Sequence, residues 1–175
     1  WSNTDSKQWR KVSSRMSTIV TNEIRGVNDV GVLQPTKPSF FAHMTGGSWV
    51  DNVADDTVLP FNTTLHNIGN HYSTSTYKFT VPIAGVYFFS FQLYLSNGGG
   101  GQYAGIGKNG SLLNTGNGDN YPLIGIYQNT GADDFTKTAN GTLSLSVGDT
   151  IDVRVIGSTS DYFTAMCQFH GFLVG

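Results

Sequence analysis

The amino-acid sequence predicts an all-β sandwich, and three observations carry that prediction. Gly85–Phe91 reads GVYFFSF and sets Tyr87, Phe89 and Phe91 two residues apart. Alternation along a strand points all three rings the same way, into the space between two sheets. From Phe40 onward the chain is cut into short apolar or alternating runs separated by Gly, Asn, Asp and Pro, the texture of strands joined by turns. Charged residues make up 13% of the 175 residues, and Gly accounts for 22. Against the ~25% charge and ~7% Gly of ordinary soluble domains, this composition suits an extracellular or virion β protein better than a cytosolic helical enzyme.

Residues 1–12, WSNTDSKQWRKV, place turn chemistry at Asn3–Ser6 between Trp1 and Trp9, which supports a small hairpin. A second pattern competes from Trp9 onward. Trp9, Val12, Met16, Ile19 and Glu23 fall three and four apart, a helical stripe of barely two heptads, short of the three or four that define a coiled coil. The stripe serves equally as a short stalk or as a linker packed on a neighbour. Gly26–Pro38, with Gly31 and Pro35, reads as a linker. Five basic and three acidic residues give residues 1–35 a net charge of +2, while the remainder carries five and nine, a net −4. The expected division is therefore an arm over residues 1–35, for docking or as a short stalk, and a globular domain over 36–175. Because the chain opens on Trp1 and not Met, a processed or truncated product is expected.

Strands are expected at 38–44, 48–50, 57–61, 63–67, 71–80, 85–95, 103–109, 111–114, 122–128, 135–145, 149–157 and 162–174, with turns at Gly46-Gly47, Gly69-Asn70, Asn109-Gly110 and Gly148-Asp149 among others. Alternation in TLSL points Leu143 and Leu145 inward. In IDVRV it does the same for Ile151, Val153 and Val155. No fixed-period repeat is present, which excludes a propeller or solenoid.

Catalytic signatures are missing. Gly105-Ile106-Gly107-Lys108-Asn109-Gly110 spells GxGxxG, but a dinucleotide site needs a long helix after it to meet the phosphate. The following Ser111–Gly116 is too short and turn-rich, so a hairpin turn at Asn109-Gly110 explains the glycines better. Cys167 and His170 are three apart, on opposite faces of a strand, which disfavours a shared metal or a thiolate–imidazole pair. The sequence holds no Gly-x-Ser-x-Gly elbow and no HExxH. No enzyme and no obligate cofactor are expected. With one cysteine no disulfide forms within the chain, and no apolar run reaches the ~20 residues that span a bilayer. A net charge of −2 offers no general attraction to nucleic acid.

Binding chemistry is confined to loops. Asp119, Asp133 and Asp134 are candidate calcium ligands in a Gly/Asn setting, although solvated surface carboxylates are the commoner outcome. Tyr103, Asn120, Tyr121, Asp161 and Tyr162 put aromatic faces beside adaptable hydrogen-bonding groups, a mixture suited to carbohydrate or protein recognition. Asn62, Asn109 and Asn140 open glycosylation sequons that matter only in a eukaryotic secretory product.

The spacing of Phe61, Asn67, Tyr72, Phe79, Gly85, Tyr87, Phe89 and Phe91 resembles the signature of the complement C1q globular-domain family. Pro38–Ala42 resembles that family's opening strand, Lys108-Asn109-Gly110 its mid-domain turn, and Gly171-Phe172 lies in a resemblance to its closing strand. The resemblance covers residues from about 38 to 175. It implies a ten-stranded jelly-roll sandwich of the C1q/tumour necrosis factor type, a homotrimer, and binding through exposed loops without catalysis. Phe88, opposite Tyr87 and Phe89, then needs a cover, which a subunit interface would provide. The chain departs from vertebrate relatives in lacking a collagen-like Gly-x-y stalk before Pro38 and in carrying Val81 where they often have Cys.

The N-terminal WSNTDSKQWRKV resembles the short hairpins of phage fibre and tail proteins. Together these resemblances imply a virion-associated adhesion module. Its arm, residues 1–35, would dock on a capsid or tail protein, and its trimeric head would meet a host surface receptor or glycan. A structural decoration or cap of the particle, and a secreted recognition protein, are the competing expectations.

Overall fold

The computed structural model describes residues 37–95, 102–116, 121–128, 135–156 and 160–175. The chain divides into two units, Trp1–Gln34 and Pro35–Gly175. The hairpin and helical-stripe expectations for the arm lie outside the described residues, as do the candidate calcium ligands Asp119, Asp133 and Asp134 and the loop residue Asn120.

Two antiparallel sheets build the domain. The first contains β1 (Ser39–His43), β2 (Trp49–Val53), β3 (Thr63–Ile68), β6 (Gly85–Leu95), β10 (Phe135–Leu145), β12 (Ser160–Phe163) and β13 (Gln168–Leu173). Its central run is β10-β6-β13-β1-β3, with β12 and β2 continuing from the far end of β6. The second contains β4 (Tyr72–Ser73), β5 (Lys78–Thr80), β7 (Gln102–Lys108), β8 (Ser111–Leu112), β9 (Gly125–Gln128) and β11 (Thr150–Ile156), in the order β4-β5-β11-β7, with β8 and β9 both on β7. First and last strands pair (Phe40 opposite Gly171), and the long crossovers between sheets give a jelly-roll-like sandwich.

Thirteen strands are present among the described residues, against twelve spans expected from the sequence pattern and the ten that the family resemblance implies. The expected strand 71–80 is two short pieces, β4 and β5, separated by a tight turn in which Tyr77 N–H donates to Ser73 C=O (2.7 Å) and Tyr77 takes φ 61°. Residues 57–61 form no strand of their own. They run as an extended segment along β11, with Leu59 N–H on Val153 C=O and Val155 N–H on Thr57 C=O. The expected strand 162–174 is broken by one 3₁₀ turn at Thr164–Met166.

The core is aromatic. Tyr87, Phe89, Phe91, Leu93 and Leu95 line the inward face of β6 and are all fully buried. Phe40 on β1 reaches across the sandwich, stacking on Tyr72 (4.7 Å) and Phe79 (5.0 Å) while meeting Phe169 edge-on (4.9 Å). Ile151, Val153 and Val155 are buried as their alternation predicts, and so is Leu145, with Leu143 packed partly against the same core.

The signature residues have identifiable physical roles. Asn67 bridges a turn with its side-chain amide: Nδ2 donates to Tyr72 C=O (2.8 Å) and Oδ1 accepts from Tyr72 N–H (3.1 Å). A side chain thus stands in for a strand partner where Gly69 and Asn70, both at positive φ, turn the chain. Tyr72 then donates its hydroxyl to Phe61 C=O (2.9 Å). Gly171 is glycine because a Cβ there would collide with the Phe89 ring.

The GxGxxG run is a packing device. It lies on β7 and its turn, and β8 follows. A Cβ on Gly105 would strike Pro122, and one on Gly107 would strike Asp152 Oδ1. The space at Gly107 is taken by a buried ion pair in which Arg154 donates to both oxygens of Asp152 (2.7 and 3.0 Å). Asn109 and Gly110 take positive φ in the turn. Asn109 Nδ2 donates to Asp149 Oδ1 (2.8 Å), Lys108 Nζ lies 2.9 Å from Asp149 Oδ2, and Ser146 N–H donates to that same oxygen (2.9 Å). Two turns distant in sequence are locked by one carboxylate.

Replacing Arg154 by Ala would strand the fully buried Asp152 carboxylate, leaving Lys78 at 3.8 Å as its remaining ionic neighbour among the described residues. The expected cost is about 3–5 kcal/mol in denaturant unfolding. Donated hydrogen bonds, from Asn109 first, hold the Asp149 carboxyl at about 2 against an unfolded value near 3.8. The stability it adds is complete above the unfolded value and lost as pH falls through the folded one. Asp149→Asn is therefore expected to flatten the acid limb of stability between those two values, measured by urea unfolding at stepped pH.

Candidate binding surfaces

Three tyrosines meet on the outer face of the second sheet. Tyr103 on β7 lies opposite Tyr127 on β9, and the two rings stack at 4.5 Å; Tyr121 approaches Tyr103 edge-on at 5.6 Å. Alternation along β7 produces this placement: Ala104 and Ile106 point into the core, so Tyr103, Gly105 and Gly107 face outward. Tyr121 and Tyr127 are about half exposed. Burial, followed by hydrogen bonds and proximity to the two neighbouring phenols, pushes the Tyr103 hydroxyl above its ordinary pKa. Tyr103 therefore stays neutral, and the cluster offers ring faces together with phenolic hydroxyls.

Tyr103 and Tyr121, both expected as recognition residues, thus come together. Tyr127 was not anticipated: nothing in its local sequence marks it, and only the β7–β9 register brings it to Tyr103. Asp161 and Tyr162 are on β12, in the other sheet. Tyr162 does not stand at a loop tip; it is buried in the core, which raises its hydroxyl to about 12. Asp161 accepts the backbone N–H of Asn52 (2.6 Å) and so braces the neighbouring strand.

A second surface is the outer face of the first sheet. The strands β1, β3, β6 and β13 contain no Asp, Glu, Lys or Arg. Their outward residues include Phe41, His66, Phe88, His170 and Phe172. Phe41 and His170 stack in parallel (5.3 Å, 1°), and Phe88 packs on Phe172 (5.3 Å). Phe172 remains 44% exposed and Val86 40%; Leu65, extruded by a bulge where β3 pairs with β1, is 71% exposed. This apolar surface continues into an open cavity of about 450 Å³ lined by Phe41, His43, Leu65, Gln92, Met166 and Gln168. Beyond it Trp49, Tyr94 and Phe163 form a second aromatic cluster. Phe88 is indeed on the face opposite Tyr87 and Phe89, as alternation requires.

Reactive groups are separated. Cys167 is buried on the core side, its Sγ directed at Phe163 C=O (3.2 Å), and burial raises the thiol to about 11. His170 is on the outer face. Among the described residues no group of three or more His, Cys, Asp or Glu is arranged to hold a metal ion.

The C1q domain family model matches residues 39–174. Among solved structures, the globular domain of zebrafish complement 1qA protein is similar at 19% identity and TM-score 0.53, over 79% of this chain and 98% of that one. Eiger TNF from S. frugiperda is similar at 14% identity and TM-score 0.59, over 80% of this chain and 94% of that one. At these identities the two structures speak to fold, and they share the C1q/TNF-like two-sheet arrangement found here. With the family match spanning most of the sequence and both sheets in place, the chain belongs to the C1q domain family.

Proposed function

We propose that this protein is a non-enzymatic homotrimeric recognition module. The observation that carries the proposal is the outer face formed by β1, β3, β6 and β13, four strands without a charged residue. A monomer gains nothing by exposing Phe172, Val86 and Leu65 beside the half-covered Phe41 and Phe88. Burying such side chains is worth about 1.5–3 kcal/mol each, and a threefold arrangement covers the face with copies of itself. The second sheet keeps its outer face free. There the Tyr103, Tyr121 and Tyr127 cluster supplies recognition chemistry, repeated three times on one rigid head so that weak sites act together.

The finer reading places this head on a phage particle. Residues 1–35 dock on a capsid or tail protein, and the head faces a host receptor or glycan. Its support is in the sequence of the arm: a net charge opposite in sign to the head's, two tryptophans, and the likeness of WSNTDSKQWRKV to fibre and tail hairpins. The intact purified protein should then block adsorption of the particle to host cells. Absence of competition at saturating protein would leave a structural decoration as the better account.

Two substitutions test the head. Phe172→Asp, on a half-exposed ring, should leave the circular dichroism spectrum unchanged and reduce the light-scattering mass from three chains to one. Tyr127→Ala should leave the trimer intact and weaken binding to the host surface by roughly tenfold per site, about 1.4 kcal/mol; unchanged binding would remove the tyrosine cluster from the recognition surface.

A further inference from the structure

The outer face of the first sheet carries a titratable device at its centre. His170 on β13 is stacked flat against Phe41 of β1, and His66 of β3 lies on the far side of the same ring at 6.5 Å. Imidazole, phenyl and imidazole thus form one row across three strands. His170 Nδ1 is buried and has no hydrogen-bond partner.

Among the described residues no opposite charge stands nearby. The outward neighbours of His170 are Gln168 and Phe172 on its own strand, Ser39, Phe41 and His43 on β1, and Phe88, Ser90 and Gln92 on β6. Beyond Phe41, β3 contributes His66, Ile68 and Leu65. Of these only the three histidines titrate. His43 differs from His170, because its Nδ1 already donates to Met44 C=O (3.2 Å). Lys37 is held at the far end of the face, on Val174 C=O (3.1 Å). Among the described residues, a proton arriving on His170 therefore meets a second imidazole, two phenyl rings and no carboxylate.

We propose that the homotrimer is acid-labile, with His170 and His66 as the groups whose protonation opens the subunit interface. This rests on the assembly reading above, in which a second copy covers this face. Covering it removes the remaining water from both imidazoles, so the assembled state binds fewer protons than the free chain. Burial, and secondarily His66, already hold the His170 pKa below its ordinary value in the single chain. The sign follows: assembly is favoured at neutral pH and weakened as pH falls through the range where free imidazole takes up its proton. The threefold arrangement multiplies the effect, since each dissociation exposes three copies of the pair.

The test is light scattering on the intact protein at about pH 7.5 and about pH 5, with near-ultraviolet circular dichroism reporting the tertiary fold. The expected result is a three-chain mass at neutral pH that falls to one chain in acid with the near-ultraviolet spectrum retained. His170→Gln should keep its three-chain mass in acid. His66→Gln, which leaves the central stack intact, should move the dissociation midpoint to lower pH and gives an independent readout. A wild-type trimer that persists at about pH 5, loss of tertiary signal together with dissociation, or variants that dissociate at the wild-type midpoint would overturn the proposal. A single-chain mass already at neutral pH would instead overturn the assembly on which it rests.

Discussion

Phe40 is the contact on which both sheets depend. It leaves β1 in the first sheet, stacks on Tyr72 and Phe79 of the second, and meets Phe169 from the neighbouring strand of its own sheet. Aromatic pairs at these separations add about 0.5–1.5 kcal/mol beyond the area they bury. The contact also sets register. Once Phe40 points inward, Phe41 must point outward, as must His170 and His66, which sit opposite it in the adjacent strands. A one-residue slip would replace the inward Phe40, Phe89 and Phe169 by a mixed row that brings histidine, glutamine and serine into the core beside Phe41, Phe88 and Phe172. The fold and the outer surface are therefore two consequences of one alternation.

That coupling explains the unusual composition. β6 has to be apolar inward to fill the sandwich, and Phe88 and Val86 show that it is apolar outward as well. Charge is moved elsewhere: into the Asp152–Arg154 pair on the second sheet, the Asp149 clamp between two turns, and the arm. A sheet with both faces apolar needs a second cover. The second sheet is organised differently, with glycines admitting an ion pair and a proline on its outer side and three tyrosines grouped at one end. Under the proposed function, one sheet serves self-association and the other display.

Much of this was legible in the sequence because it rests on local rules. The inward row Tyr87, Phe89 and Phe91, the inward Ile151, Val153 and Val155, the turn at Asn109-Gly110 and the outward Phe88 all follow from period two and turn chemistry. The signature spacing identified the family because Asn67, Tyr72 and Phe61 form one hydrogen-bonded unit within a dozen residues. What could not be read depends on register between distant strands. Tyr127 joins Tyr103 only through the β7–β9 pairing, and His66 joins His170 only through β1. Tyr162 shows the opposite failure. Its neighbours Asp161 and Phe163 suggest a polar loop tip, yet pairing with Leu95 and Val50 draws its ring into the core.

The central claim is that the outer face of β1, β3, β6 and β13 is covered by copies of the same chain. Sedimentation equilibrium of the intact protein at neutral pH, over a hundredfold range of concentration, tests it most directly. The account predicts a limiting mass of three chains that dissociates only on dilution. A mass of one chain at every concentration would contradict it.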